Sequence, residues 1–164
     1  MKNLELTNQV NSIKALFKKA EVFVDDSELL GNWAKFLCII ASGFIENALK
    51  ILFTDYITKT SNLKTARFAS FYINDKQFCI KNPDSEGIAK LLQKFDDEWK
   101  TRFESYLEDN LLYISINSIK GNRNQIAHGG YRLSSLSLVG MKEYFLGAIK
   151  VVEYIESMLN STDS

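Results

Sequence analysis

The sequence contains one proline, Pro83, among 164 residues. Proline is the residue that most reliably ends a helix, because it lacks a backbone N–H and its ring clashes with the preceding turn. A chain with a single proline can therefore form long helices on both sides of residue 83. Apolar residues recur at spacings of three and four along most of the sequence, and no segment shows a comparable strand-like alternation. The sequence predicts an all-α fold.

A single-domain bundle of about five to six helices accounts for this periodicity over residues 1–164. The first helix is predicted to end near Asp25 and Asp26, and Ser27 is predicted to cap a long helix from Leu29 to about Tyr56. Apolar residues lie on several faces of this long helix, which predicts that it is central to the bundle. A short helix is predicted over 63–72, and residues 78–80 are predicted to be extended or loop. A further helix is predicted after a cap at Asp84 or Ser85, and its apolar pattern continues from Trp99 to Leu107 after an acidic interruption. The last two helices are predicted over 110–127, with Gly129 and Gly130 as its end, and after Ser137.

Composition argues against several classes of protein. Hydrophobic residues make up 46% of the chain and charged residues 24%, which is typical of a soluble globular domain. The longest uninterrupted apolar run, Phe36 to Ile40, is far too short to span a bilayer, and the polar N-terminus lacks the apolar stretch of a signal peptide. We therefore expect a cytoplasmic protein that does not contact a membrane. The one His and the two cysteines, Cys38 and Cys79, cannot supply the four ligands of a usual zinc site, so we expect no metal and no cofactor.

Charge is unevenly distributed in a chain whose formal net charge is zero. Residues 110–142 include no Asp or Glu, although Lys120, Arg123, Arg132 and Lys142 all lie there. This segregation predicts a surface that faces an anion, within a protein that has no overall field to attract nucleic acid.

The segment that carries candidate chemistry is the predicted helix over 112–128. At about 100° per residue, Arg123 lies in the middle of an apolar face, where an unpaired charge would be costly. Asn124 and His128 are four residues apart on an adjoining face, so their side chains can touch. Taken alone, an Arg at a core edge usually forms a structural ion pair, and a His in a last helical turn usually only favours the helix dipole. The combination of these residues is what points to a site. The apolar face consists of Leu112, Ile116, Ile119 and Ile126, and Asn117 also lies on the adjoining face.

Arg123-Asn-Gln-Ile-Ala-His128 resembles the R-x4–6-H motif of the HEPN superfamily, in its four-residue spacer form with a polar residue after the Arg. Ala41-Ser-Gly-Phe-Ile-Glu46 is similar to the long helix of the prokaryotic families of the RiboL-PSP-HEPN kind. The helical pattern covers about residues 3–159. The resemblance implies a metal-independent endoribonuclease, often a toxin or phage-defence effector, whose Arg and His act at a composite site between two chains.

The residues present suit that reaction. Attack of a ribose 2′-OH on the adjacent phosphate needs proton transfer, for which histidine is suited near neutral pH, and charge stabilisation, for which arginine is suited. Asn124 can orient either group by hydrogen bonding. Because each chain has one His, a two-His acid–base mechanism is impossible in a monomer, and we expect a symmetric homodimer with the motif helices at its two-fold axis.

Secondary candidates surround the motif. Lys120 and Arg132 are candidates for holding the RNA backbone, and an ordinary solvated cation is the alternative for each. Glu46 and Asn47 are candidates for pairing with or orienting Arg123, and an ordinary surface charge is the alternative for Glu46. An antitoxin or another defence component is a possible partner. Tyr131 follows His128 by three positions, whereas HEPN toxins paired with a minimal nucleotidyltransferase typically have this Tyr two positions after the His.

Two other interpretations remain open. In the first, the chain is a catalytically silent HEPN module, which binds RNA or nucleotides or scaffolds a defence complex. In the second, it is a structural bundle whose Arg and His serve packing. In the first case His128→Ala and wild type would behave alike in an RNA degradation assay. In the second case Arg123→Ala would cost stability with no loss of RNA handling.

Overall fold

A computed structural model describes residues 1–23, 25–74, 81–128 and 136–161. In these ranges the chain is an all-α bundle without strands, as the sequence predicts, but it has seven α-helices rather than five or six. A short 3-10 turn, Glu21–Phe23, follows the first helix. The helices are α1 (Leu4–Ala20), α2 (Ser27–Thr60), α3 (Leu63–Asn74), α4 (Ser85–Gln93), α5 (Asp97–Asp109), α6 (Leu112–Ala127) and α7 (Leu138–Ser161).

The capping residues differ in part from the predicted ones. α1 ends at Ala20 rather than near Asp25. α2 begins at Ser27, and its cap is Asp26 rather than Ser27, because the Asp26 carboxylate accepts a hydrogen bond from the Leu29 N–H at 2.8 Å. A carboxylate in extended backbone satisfies the free N–H groups of a first turn as well as a hydroxyl does.

The helix count rises because the acidic stretch after α4 interrupts the chain. Asp96 caps α5 by accepting from the Glu98 N–H at 2.7 Å, which starts a new helix. α6 begins at Leu112 rather than Asn110, because Leu111 has the left-handed φ of 54° and cannot continue a right-handed helix. The predictions for residues 78–80 and for Gly129 and Gly130 lie outside the described residues.

α2 is the central helix, as predicted. It packs against α1, α3, α6 and α7, and α4 and α5 pair with each other and contact α6. The aromatic centre of the core joins three of these helices: the Phe145 ring stacks on Phe17 at 5.7 Å and meets Phe44 edge-on at 5.6 Å. α6 and α7 approach closely at Gly147, where a Cβ atom would clash with the Ser115 side chain.

α2 is also the one helix of the described ranges that is long and apolar enough to cross a membrane by length and composition. The sequence prediction counted only uninterrupted apolar runs and therefore missed this property. In the bundle, 56% of the most apolar window of α2 is buried. A core helix that is covered by its neighbours passes the same test.

Candidate functional site

The R-x4-H motif lies on the last turns of α6. Leu112, Ile116 and Ile119 are buried, which agrees with the apolar face expected for this helix. Arg123 is half-buried on the same helix, and His128 is exposed at its C-cap. The backbone N–H of His128 donates to the Asn124 carbonyl at 3.0 Å, so the helical hydrogen-bond pattern extends to His128. The end of α6 thus presents the imidazole to solvent while the guanidinium lies partly within the bundle.

Arg123 has no carboxylate partner among residues 1–23, 25–74, 81–128 and 136–161. Arg123 lies close enough to Cys38 of α2 to act on it electrostatically. The Cys38 thiol donates to the Ile119 carbonyl at 3.5 Å. Burial raises the pKa of the Cys38 thiol to about 12, although the positive charge of Arg123 acts to lower it. The Cys38 thiol is therefore neutral near pH 7 and supplies no negative charge to the guanidinium. A half-buried guanidinium with no carboxylate partner in the described ranges is a site where an anion gains more binding free energy than it would in bulk water.

Asn124 is held by a residue from outside α6. Asn82, which precedes α4 and is only 8% exposed, donates from its Nδ2 to the Asn124 Oδ1 at 2.6 Å. The Asn82 Oδ1 accepts from the Ser42 hydroxyl of α2 at 3.0 Å, and the Asn82 backbone N–H donates to the Glu46 carboxylate. Asn82 thus joins α2 to the motif helix through its side chain and its backbone.

A match to a known family adds to this geometry. The family model described as RiboL-PSP-HEPN matches residues 4–161, nearly the whole chain. The chain belongs to the RiboL-PSP-HEPN family. This confirms the resemblance that the Arg123 to His128 motif indicates and places the protein in the HEPN superfamily. The family suggests an RNase-type or nucleotide-binding module. No curated protein and no solved structure matches the chain significantly.

The segment 82–85 of this RiboL-PSP-HEPN protein, which ends at the first residue of α4 and is called the loop below, also contacts α6 through Asp84 and Ser85. Asp84 caps α4 by accepting from the Gly87 N–H at 2.7 Å, and its other oxygen pairs with Lys120. Ser85 donates from both its N–H and its hydroxyl to the Asn117 Oδ1, each at 3.0 Å. Burial raises the pKa of Asp84, but the hydrogen bonds from Lys120 and Gly87 and the charge of Lys120 outweigh it, so the pKa lies below its ordinary value of 3.8.

Several predicted site residues have partners that the sequence did not indicate. Glu46 accepts from the Asn82 N–H and forms no ion pair with Arg123. Asn47 is half-buried beside it, with no hydrogen bond to Arg123 within the described part of the chain. Lys120 is paired with Asp84, so its contact with RNA stays a prediction. Arg132 and Tyr131 lie outside the described residues.

The anion-facing surface is smaller than the charge segregation predicts. Lys142 pairs with Glu21 of the 3-10 turn, as Lys120 pairs with Asp84. Acids that are distant in sequence therefore neutralise two of the four cations in residues 110–142. Arg123 remains as the described cation of that stretch without an acidic partner. Among the described residues, no group of three or more His, Cys, Asp and Glu side chains could hold a metal ion.

Sequence reasoning missed Asn82 and Ser42. The sequence does contain a pattern that indicates Ser42. Cys38, Ser42 and Glu46 follow each other at spacings of four and form a polar stripe along an otherwise apolar helix. The signal for Asn82 is weaker. It precedes the single proline, and it adopts a left-handed φ of 50°, a conformation that Asn tolerates better than most residues.

Proposed function

We propose that this RiboL-PSP-HEPN protein is a metal-independent endoribonuclease of the toxin or phage-defence type, which cleaves RNA at a composite site in a homodimer. The observation that carries the proposal is the pair at the end of α6: the half-buried Arg123, without a described carboxylate partner, and the exposed His128 little more than one turn later. An Arg with a structural role at the edge of a core is expected to pair with an acidic side chain. For Arg123, the phosphate of a bound RNA would be the anionic partner.

The proposed reaction is an internal transesterification. The ribose 2′-oxygen attacks the adjacent phosphorus and loses its proton to a base, while the P–O5′ bond breaks and the 5′-oxygen takes a proton from an acid. The products are a 2′,3′-cyclic phosphate and a 5′-hydroxyl. His128 is placed to transfer protons, and Arg123 to hold the non-bridging oxygens as charge develops on them.

Base and acid are separate tasks, and each chain contains one His. Two copies of the α6 end around a two-fold axis would supply two imidazoles and two guanidiniums to one cleft. The exposed position of His128 at the helix end is compatible with this arrangement. We therefore propose a homodimer, and a strictly monomeric solution mass would refute the shared site.

The test is RNA cleavage by the purified protein in EDTA. Wild type is expected to cut equally well with and without the chelator, and His128→Ala is expected to lose cleavage by about a hundredfold or more, the range of general acid–base effects. Gln125→Ala is the matched control, because Gln125 is also exposed near the end of α6 and has no proposed role. Loss of cleavage in EDTA, or equal cleavage by His128→Ala, would refute the mechanism.

The second function open to this superfamily is a non-cleaving RNA- or nucleotide-binding module. It differs in one measurable respect: wild type and His128→Ala would then leave RNA equally intact while binding it. The cytoplasmic location and a restraining antitoxin or defence component belong to the same proposal. Co-purification of a partner whose presence suppresses cleavage would support that part of it.

A further inference from the structure

We infer that Asn82 is a positioning residue for the α6 site, because it fixes the orientation of the Asn124 amide so that Asn124 presents its N–H donors to an RNA phosphate. The inference rests on the proposed function for its chemical meaning. The hydrogen bonds that carry it are independent of that function.

The structure shows the direction of the Asn124 amide through two consecutive hydrogen bonds. The Ser42 hydroxyl donates to the Asn82 Oδ1, which leaves the Asn82 Nδ2 as the end that faces Asn124. That Nδ2 donates to the Asn124 Oδ1 at 2.6 Å. An amide has one acceptor end and one donor end, so occupation of the Asn124 oxygen turns its two N–H donors away from Asn82. No side chain in the described part of the protein accepts a hydrogen bond from the Asn124 Nδ2.

Asn82 is held firmly enough to impose this orientation. Its φ of 50° is uncommon for residues other than glycine, although Asn adopts it more readily than most, and the surroundings help to hold it. Here the Asn82 backbone N–H donates to the Glu46 carboxylate, the Ser42 hydroxyl donates to the Asn82 Oδ1, and the residue is 8% exposed. Asn82 therefore reaches Asn124 from a fixed base on α2.

Asn124 follows Arg123 directly in the motif. With its amide in this orientation, both residues offer only donors to a ligand at the end of α6. That set suits the non-bridging oxygens of a phosphodiester. The reversed amide would present an oxygen to the phosphate and repel it. Donors that are oriented before the charge develops need no reorganisation during the reaction, which is where such groups contribute most to rate.

The first variant is Asn82→Asp, which keeps the shape of the side chain but replaces the donor that faces Asn124 with an acceptor. We expect the single-turnover cleavage rate to fall about ten- to a hundredfold with a smaller change in RNA affinity, because a donor to the transition state is lost. Asn82→Gly is the second variant. Glycine accepts the left-handed backbone without strain, so this chain keeps its fold if the aspartate variant does not.

The matched control is Ser85→Ala. It removes a hydrogen bond from the same loop to the same helix, through Asn117 rather than Asn124. A purely structural role of the loop predicts that Ser85→Ala and Asn82→Gly slow cleavage alike. The positioning role predicts that Ser85→Ala leaves the rate unchanged.

A double-mutant cycle separates action through Asn124 from any other effect. If Asn82 acts through Asn124, then Asn82→Asp slows wild type but has no further effect on Asn124→Ala. Multiplicative losses in the double variant would overturn the inference. So would an unchanged rate in Asn82→Asp.

An NMR measurement keeps the inference testable if the wild type does not cleave. Addition of a short 2′-deoxy oligonucleotide, which cannot undergo the reaction, is expected to shift the Asn124 side-chain amide signal in wild type but not in Asn82→Asp. A shift without cleavage would refute the proposed enzyme and keep the positioning role. Equal responses in both chains would refute the positioning role.

Discussion

Replacement of Arg123 by methionine separates a functional arginine from a structural one. The Arg123 guanidinium is half-buried on the α6 face that includes the buried Ile116 and Ile119, and no described carboxylate compensates its charge. Methionine has a similar length and no charge to desolvate. If the arginine stabilised the fold through an ion pair, its loss would be costly. The described residues form no such pair with Arg123.

The expected change in stability is therefore small or favourable. Apolar replacement of even well-paired buried charges is often neutral or stabilising, by about 1–4 kcal/mol. For a partly exposed group we expect about 0–1 kcal/mol in favour of Arg123→Met, which corresponds to a Tm raised by up to about 4 °C in a chain of this length. Cleavage is expected to move the opposite way, by about 10²–10³, the loss found when one transition-state donor is removed.

Differential scanning calorimetry and a single-turnover RNA cleavage assay on the same preparation measure both quantities. Arg123→Lys is the control: it keeps the charge but loses the planar fork, so its cleavage rate is expected between those of wild type and Arg123→Met. A Tm several degrees below wild type in Arg123→Met, together with undiminished cleavage, would show that the arginine is structural.

Three further outcomes test the local structure. The pKa of Asp84 lies below 3.8 in the folded state, so its pairing with Lys120 stabilises the fold above that pH, and this contribution is lost as the pH falls through the folded-state pKa. Asp84→Asn, which keeps the helix cap, should therefore have a lower urea midpoint than wild type at pH 7. The difference between the two midpoints should shrink at pH 3. Gly147→Ala should lose about 1–3 kcal/mol of unfolding free energy by overpacking against Ser115, measured by urea denaturation. Gly31→Ala, which meets nothing within 4 Å, should instead gain about 0.5–1 kcal/mol from helix propensity, and equal effects of the two substitutions would contradict the close packing of α6 on α7.

The helices of this chain could be predicted because their signals are local. Apolar spacing, a single proline and capping side chains lie within a few residues of the element they define. The central position of α2 follows from apolar residues on several of its faces. The errors are local too: Asp26 takes the cap expected of Ser27, and the left-handed Leu111 shortens α6.

The site could be predicted only as far as it lies on one helix. Arg123, Asn124 and His128 share α6, so the helical repeat alone relates them. The loop that orients Asn124 is 42 residues away, and its approach depends on a left-handed Asn82. The spacing of residues predicts neither the left-handed backbone of Asn82 nor its hydrogen bond to Glu46, because both depend on how α2 and α6 pack.

The ends of cleaved RNA test the central claim most directly. Wild type and His128→Ala are expressed in a bacterium, and the RNA ends that appear are mapped and their chemistry determined. The account predicts new 2′,3′-cyclic phosphate and 5′-hydroxyl ends with wild type and none with His128→Ala. Ends that appear equally with both chains, or new ends that have 5′-phosphates, would contradict it.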